Sequence, residues 1–285
     1  MNVLRQPLTF ACEGERLVGI VSRPRQPSAR GVLIVVGGPQ YRVGSHRQFA
    51  LLAAHLAEQG TPVMRFDYRG MGDSSGDRRD FEHVTHDLRA AVDAFFDSVN
   101  EVRDIVIWGL CDAASAALFY AHQDRRVSGV ALLNPWVRTA EGEAKAYLRH
   151  YYLQRLLSPA PWRKLLRGEF DLTGSAKSLA TNLRKAGGAS LAVQPSNSQA
   201  GTRSLPERMA DGLARFDGKV LMILSGNDLT AQEFKDAVRG SKRWRDLFDS
   251  PRVTWRELPQ ANHTFSTCEW RDQAAVWTAD WVRSW

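Results

Sequence analysis

The chain has 285 residues, of which 44% are hydrophobic and 24% charged, and its formal net charge is +7. These values are ordinary for a globular protein of one large domain, with or without an insertion. No apolar run approaches the roughly 20 residues of a membrane-spanning helix, and no apolar signal-peptide core stands near residue 1. The three cysteines fit neither a disulfide framework nor a zinc pattern: Cys12, Cys111 and Cys268. We therefore expect a cytoplasmic protein.

Strands and helices alternate through the first half of the chain. Residues 8–24 predict a hairpin, because alternating runs flank the turn Glu13–Gly14–Glu15. The apolar run Val32–Val36 predicts a buried strand that ends in the loop Gly37–Gln40. The next predicted elements are helix His46–Gln59, strand Pro62–Asp67, helix Glu82–Val99, strand Asp104–Trp108, helix Ala113–His122 and strand Val127–Asn134. This alternation predicts right-handed crossovers and a mostly parallel sheet.

The alternation stops at residues 137–208. Helical stretches rich in Tyr, Leu and Arg replace strands there, and a Gly-, Ser- and Gln-rich segment near 187–204 is expected to be mobile. We interpret 137–208 as a helical insertion into a core made of residues 1–136 and 209–285. Two further strands follow, Lys219–Leu224 and Arg252–Leu258, and a capping box at Ser266–Glu269 starts the closing helix.

The stretch Ile105–Ala114 carries the main functional signal. A β-branched run ends in Gly109, Cys111 follows two residues later, and an Ala-rich helix begins at once. This is the strand, tight turn and helix in which G-x-S-x-G presents a nucleophile, here with Cys111 for serine and Ala113 for the second glycine. We interpret Cys111 as a nucleophile whose thiolate the helix N-terminus stabilises. The alternative is a buried structural cysteine.

Two polar residues follow later predicted strands. Asp228 stands just after one strand, and His263 lies in the loop after the last strand. A nucleophile needs a base and a group that orients the base, so we expect Cys111, His263 and Asp228 to act as a catalytic triad. The alternative for Asp228 is an Asx turn that only ends its strand.

An oxyanion formed during acyl transfer needs two backbone N–H donors. Asp112, the residue after the nucleophile, supplies one of them. The loop after the Val32–Val36 strand supplies the other, and Gln40 is preferred over Gly38, since Pro39 has no N–H. The carboxylate of Asp112 opposes an oxyanion, so it either faces an arginine of the insertion or caps the helix.

Other motifs have structural interpretations. Asp67, Arg69 and Asp73 match no metal-ligand spacing, and we expect their loop to hold the end of a strand through hydrogen bonds. Gly70–Met71–Gly72 lacks the third glycine of a dinucleotide fingerprint. We therefore expect no metal and no cofactor. Ser115 is expected one helical turn past Cys111, with its hydroxyl directed away from the site.

The basic charge is concentrated in the insertion. Residues 137–208 hold twelve Lys or Arg and five Asp or Glu, which accounts for the whole net charge of the chain. This charge favours an anionic or carrier-linked acyl substrate, such as an acyl-CoA, an acyl-phosphopantetheine or an acidic glycan, although a solvated helical face is the alternative. Nucleic acid is not expected, because no groove-reading motif accompanies the charge. The residues expected to contact substrate are Gly38, Tyr41, Trp136, His150 and Tyr151.

The order of these features resembles the α/β-hydrolase superfamily over essentially the whole chain. The glycine-rich loop Asp67–Ser74, the Cys111 turn and the loop bearing His263 carry the resemblance. It implies a mostly parallel central sheet flanked by helices, with a helical cap formed by residues 137–208. A narrower resemblance is to the hydrolases encoded with bacterial exosortase A systems, which are linked to exopolysaccharide production and protein sorting. The motifs that carry it are Gly37–Arg42, Gly109–Asp112 and Ser225–Thr230.

The sequence therefore predicts an acyl hydrolase of the esterase or thioesterase type that works through a thioester acyl-enzyme. The first alternative is an acyltransferase that passes the same acyl group to a sugar hydroxyl or an amine. The second is a non-catalytic binding protein that retains the fold.

Overall fold

The computed structural model describes residues 3–38, 40–137 and 203–285. Its described strands form one eight-stranded sheet: β1 (Leu4–Cys12), β2 (Glu15–Arg23), β3 (Arg30–Val35), β4 (Val63–Asp67), β5 (Asp104–Leu110), β6 (Val127–Leu133), β7 (Lys219–Ser225) and β8 (Val253–Leu258). The spatial order is β1-β2-β4-β3-β5-β6-β7-β8. β1 pairs antiparallel with β2, as does β2 with β4, and the other neighbours are parallel. The predicted hairpin and mostly parallel sheet are both confirmed.

Seven α-helices are described beside the sheet: α1 (Gln48–Glu58), α2 (Thr85–Ser98), α3 (Asp112–Tyr120), α4 (Leu205–Arg215), α5 (Leu229–Gly240), α6 (Lys242–Phe248) and α7 (Cys268–Val282). The sequence analysis did not predict α4, α5 and α6, because few of their residues are apolar. Of these, α5 and α6 are held by a few aromatic side chains: the ring of Phe234 in α5 packs edge-on against Trp244 and Phe248 of α6.

The core lies on both faces of the sheet. Along β5, Ile105 and Ile107 face one apolar cluster, while Val106 and Trp108 face the other. The first cluster includes residues of α2 to α6, and the second includes residues of α1 and α7. A strand covered on both faces must be apolar at every position, which explains the continuous apolar runs in the sequence.

The start of α7 differs by one residue from the predicted capping box. Thr267 is the N-cap, and its side chain accepts a hydrogen bond from the Trp270 N–H. Ser266 instead pairs with Asn262, through the Asn262 side chain. Ser266 is therefore bonded within the loop before the helix, and Thr267, the next residue with a hydroxyl group, caps the helix.

The predicted cap insertion lies largely outside the described residues. The chain divides into two compact units, one of residues 1–138 with 205–285 and the other of residues 139–204. The expected mobile segment near 187–204, as well as His150 and Tyr151, falls in the second unit. The described chain resumes at residue 203, and α4 begins at Leu205. Within the described ranges, no helix has both the length and the apolar character needed to cross a bilayer.

The glycine-rich loop after β4 holds the end of that strand, as predicted. The buried Asp67 carboxylate accepts hydrogen bonds from the N–H groups of Arg42 and Asp73 and pairs with the Arg42 guanidinium. Gly72 has φ of 52°, and a Cβ there would overlap the Asp67 carboxylate, so glycine is required. Burial raises the pKa of Asp67, and these donors oppose the shift.

A buried ion pair anchors the same loop to α2. Asp87 is fully buried and accepts from the Arg69 backbone N–H at 2.8 Å and from its Nη2 at 2.8 Å. Because Asp87→Ala leaves a buried guanidinium with a partly exposed Glu13 as its remaining ion-pair partner, we expect the free energy of unfolding to fall by about 3–5 kcal/mol. Urea denaturation followed by circular dichroism measures the loss.

Asp246→Ala provides the matched control. Asp246 forms an exposed ion pair with Lys242 one turn away on α6, and such pairs contribute about 0.5 kcal/mol or less. Equal losses for the two variants would show that the Asp87 pair contributes no more than a surface pair.

Candidate active site

Parallel pairing brings three chain segments to one edge of the sheet. β5, β6, β7 and β8 are consecutive neighbours, so their carboxyl ends meet there. Cys111 directly follows β5, Asp228 follows β7 by three residues, and His263 lies in the loop between β8 and α7. The three residues that the sequence analysis selected are therefore placed at the same edge.

Cys111 has φ of 63° and ψ of −126°, a conformation that non-glycine residues rarely adopt and that costs about 1–3 kcal/mol. Three backbone hydrogen bonds hold it there. Its N–H donates to the Leu133 carbonyl at 2.9 Å, and its carbonyl accepts from Ala114 and Trp136. A Cβ at Gly109 would lie 2.6 Å from the Ala113 carbonyl group, which is why the turn requires a very small residue two positions before the cysteine.

The Asp228 carboxylate has hydrogen-bond partners on both a helix and a histidine. Its carboxylate caps α5 by accepting from the N–H groups of Thr230 and Ala231, each at 3.2 Å. The same carboxylate lies 2.9 Å from Nδ1 of His263. The cap holds the carboxylate in one orientation, and that orientation faces the imidazole.

His263 joins the other two side chains. The pKa of His263 is raised to about 10. The hydrogen bond to Asp228 is the main cause, and a hydrogen bond with Cys111 raises the pKa further. Burial alone would lower this pKa, since it disfavours the charged ring. The ring is therefore protonated at neutral pH and lies between a carboxylate and a sulfur.

A buried polar network supports the histidine loop, and the sequence analysis did not identify it. Asn134 directly follows β6 and has φ of 43°, and its Nδ2 donates to the His263 carbonyl at 3.1 Å and to Ser225 Oγ at 2.9 Å. The Ser225 hydroxyl in turn donates to the Asn262 carbonyl. The available signal was an asparagine directly after a mostly apolar strand, where a buried amide needs partners.

The loop after β3 lies against the Cys111 turn. A Cβ at Gly37 would collide with the Asp112 carboxylate and the Leu110 carbonyl, so only glycine permits this approach. Gly38 has φ of 61°, and its N–H donates to Asp112 Oδ2 at 2.9 Å. The N–H of Gln40, the preferred oxyanion donor of the sequence analysis, donates to the Gly38 carbonyl at 2.8 Å. Both loop donors are therefore engaged within the protein.

The other predicted contact residues have varied positions. The hydroxyl of the exposed Tyr41 donates to Asp73, and the Arg42 guanidinium stacks on its ring. Trp136 contacts the site through its backbone, since its N–H donates to the Cys111 carbonyl. The buried Ser115 hydroxyl donates to the Trp136 carbonyl. His150 and Tyr151 lie outside the described residues.

The sequence matches one family model, described as serine aminopeptidase, S33, over residues 27–191. That range includes β3, the glycine-rich loop and the Cys111 turn. No curated protein matches the chain in sequence.

Solved structures share the fold at low identity. The esterase Pf2001 of Pyrococcus furiosus has 14% identity and a TM-score of 0.67, covering 99% of this chain and 93% of its own. A putative hydrolase of Agrobacterium vitis has 16% identity and a TM-score of 0.60, with coverages of 99% and 100%. A dienelactone hydrolase of Anabaena variabilis has 13% identity and a TM-score of 0.61, with coverages of 99% and 97%. The α/β-hydrolase fold expected from the sequence is confirmed.

We expect Asp228→Asn to lower the pKa of His263 from about 10 toward the ordinary value of 6.5, because the variant removes the charged hydrogen-bond partner. NMR titration of ring-labelled histidine measures this shift. A raised pKa in the folded state also means that the pair stabilises the fold fully below pH 6.5 and loses that effect as the pH rises toward 10.

Asp80→Asn is the matched control, because Asp80 pairs with His83 through Nδ1 in the same way but on the surface. This variant should leave the His263 titration unchanged. If the pKa of His263 stays near 10 in Asp228→Asn, Asp228 is not the main cause of the shift.

Proposed function

The chain belongs to the α/β-hydrolase family described as serine aminopeptidase, S33, and on that basis we propose that it is an acyl hydrolase with a Cys111–His263–Asp228 triad. One observation carries the proposal. His263 bridges Asp228 and Cys111, and Cys111 lies on a strained turn at the carboxyl end of a central strand. Nucleophile, base and orienting acid in this arrangement match the requirements for covalent acyl transfer.

The first half-reaction acylates Cys111. The Cys111 thiolate, paired with the protonated His263, attacks the acyl carbon of an ester or thioester, and a carbon–sulfur bond forms. The bond to the leaving oxygen or sulfur breaks, and His263 gives its proton to that leaving group. Asp228 keeps the imidazole in the orientation and tautomer that this transfer needs.

The second half-reaction removes the acyl group. His263, now neutral, accepts a proton from an incoming nucleophile, which attacks the thioester and releases Cys111. Water as the nucleophile gives an esterase or thioesterase, whereas a sugar hydroxyl or an amine gives an acyltransferase. Product analysis with and without candidate acceptors separates the two. An acceptor-dependent product with negligible hydrolysis would replace the hydrolase assignment.

The charge of the chain supports a substrate class. Residues 137–208 carry a net charge equal to that of the whole protein, so we propose an anionic or carrier-linked acyl substrate. The resemblance to exosortase-associated hydrolases supports a role linked to exopolysaccharide metabolism. Cys111 is a free thiol, as are Cys12 and Cys268, which supports a reducing, cytoplasmic setting.

Intact-mass labelling with an acyl-type electrophile tests the nucleophile. We expect one stoichiometric adduct, which disappears in Cys111→Ala and forms at least tenfold more slowly in His263→Ala, because the imidazole no longer assists the thiol. The matched control is Cys268→Ala, which removes an exposed cysteine and should leave the adduct intact. Equal labelling of Cys12, Cys111 and Cys268 would support a non-catalytic binding protein.

Salt dependence tests the substrate class. We expect turnover of an acyl-CoA to exceed that of an uncharged short ester and to fall as the salt concentration rises from 50 to roughly 500 mM, because ions screen the attraction. The uncharged ester is the internal control. Equal turnover of the two substrates with no effect of salt would remove the basis for an anionic substrate.

A further inference from the structure

The carboxylate of Asp112 lies where the sequence analysis expected the oxyanion hole. Asp112 is the first residue of α3 and directly follows the proposed nucleophile. Its Oδ2 accepts the Gly38 N–H at 2.9 Å, and the backbone N–H groups of Asp112 and Ala113 also favour the charged carboxylate. These donors belong to the two segments, the Cys111 turn and the loop after β3, that must stabilise an oxyanion.

The same carboxylate is poorly satisfied. Its Oδ1 is buried and has no hydrogen-bond partner among the residues that the structure describes. Burial raises the pKa of Asp112, and the positive charge of His263 opposes that rise. The desolvation of the carboxylate is therefore only partly offset, because its hydrogen bonds leave one oxygen unpaired.

Two loop donors were considered for the oxyanion, Gln40 and Gly38. The Gln40 N–H donates to the Gly38 carbonyl. The Gly38 N–H instead donates to the Asp112 carboxylate beside the Cys111 turn. An acyl oxyanion needs this N–H, and the Asp112 carboxylate already holds it. Two anions cannot both accept from one N–H without strong repulsion.

Building on the proposed acyl-transfer function, we propose that Asp112 is a positioning residue whose carboxylate occupies the oxyanion hole in the resting enzyme and must leave it before Cys111 can be acylated. The carboxylate holds the Gly38 loop against the Cys111 turn in the absence of substrate. An acyl carbonyl oxygen then takes over the Gly38 N–H as the Asp112 side chain rotates away. Substrates that bind tightly through the rest of their structure are favoured, because they supply the free energy of this exchange.

The proposal separates two reactions of the same sulfur. Acylation by p-nitrophenyl acetate forms the carbon–sulfur bond through an oxyanion and expels p-nitrophenolate. Alkylation by iodoacetamide displaces iodide at a saturated carbon and forms no oxyanion. A residue that only stabilises the fold or the thiolate changes both rates together, whereas an occupant of the oxyanion hole changes acylation alone.

The test measures both rate constants for the wild type, Asp112→Asn and Asp112→Ala. We expect Asp112→Ala to raise the ratio of acylation to alkylation roughly tenfold, since a charge-assisted hydrogen bond no longer has to be broken. Asp112→Asn, which keeps an uncharged acceptor at the same place, should give a smaller rise. Asp280→Ala removes an exposed aspartate of α7 and is expected to leave the ratio unchanged.

A second measurement does not require acylation. Hydrogen exchange of the Gly38 amide, followed by NMR, should accelerate at least tenfold in Asp112→Ala relative to neighbouring amides, because the N–H loses its acceptor. It also shows whether the variant remains folded. Unchanged Gly38 exchange would overturn the proposal, whatever the reaction rates.

The outcomes distinguish this proposal from the proposed function. If the wild type is acylated at Cys111 and the ratio is the same or lower in Asp112→Ala, the role of Asp112 is wrong while the acyl-transfer function stands. If iodoacetamide alkylates Cys111 but neither p-nitrophenyl acetate nor an acyl-CoA acylates the wild type or any variant, both the acyl-transfer function and the role of Asp112 are wrong. Acylation of Asp112→Ala alone would support both and would mean that the carboxylate closes the wild-type site to this small ester.

Discussion

The backbone of Cys111 is held in a left-handed conformation between β5 and α3, and the geometry of the site depends on it. The strain is maintained because the Cys111 N–H and carbonyl are tied to Leu133, Ala114 and Trp136, and because Gly109 lets the helix approach the strand. A relaxed turn would release those bonds and swing the sulfur away from His263. The packing around the turn therefore stabilises the unfavourable backbone conformation of Cys111.

The Asp228 carboxylate also has more than one structural contact. Asp228 caps a helix and orients His263 with one carboxylate, so local helix stability and imidazole orientation depend on the same group. Asn134 and Ser225 hold the backbone of the histidine loop from within the core. Because these groups are buried and mutually bonded, the position of the imidazole is set before any substrate arrives.

The charged groups at the site differ in how well their hydrogen-bonding atoms are paired. His263 is flanked by Asp228 and Cys111, whereas the nearby Asp112 carboxylate has one satisfied and one unsatisfied oxygen. The sequence analysis offered an arginine partner or a helix cap for Asp112. The structure adds a contact that neither alternative contained, a bond to the Gly38 N–H across the site. This contact links the Cys111 turn to the loop after β3, and it is the observation on which the proposed role of Asp112 rests.

The sequence by itself determined the sheet, the order of its strands along the chain, and the placement of Cys111, Asp228 and His263 at strand ends. It could do so because runs of apolar residues and small residues around a turn are local patterns. Tertiary structure alone decided that Asn134 supports the histidine loop, that Thr267 rather than Ser266 caps α7, and that α5 and α6 form. It also decided which backbone donors are free, since Gln40 and Gly38 each find an acceptor. Hydrogen-bond partners distant in sequence leave no periodic pattern, so they are settled only when the segments meet.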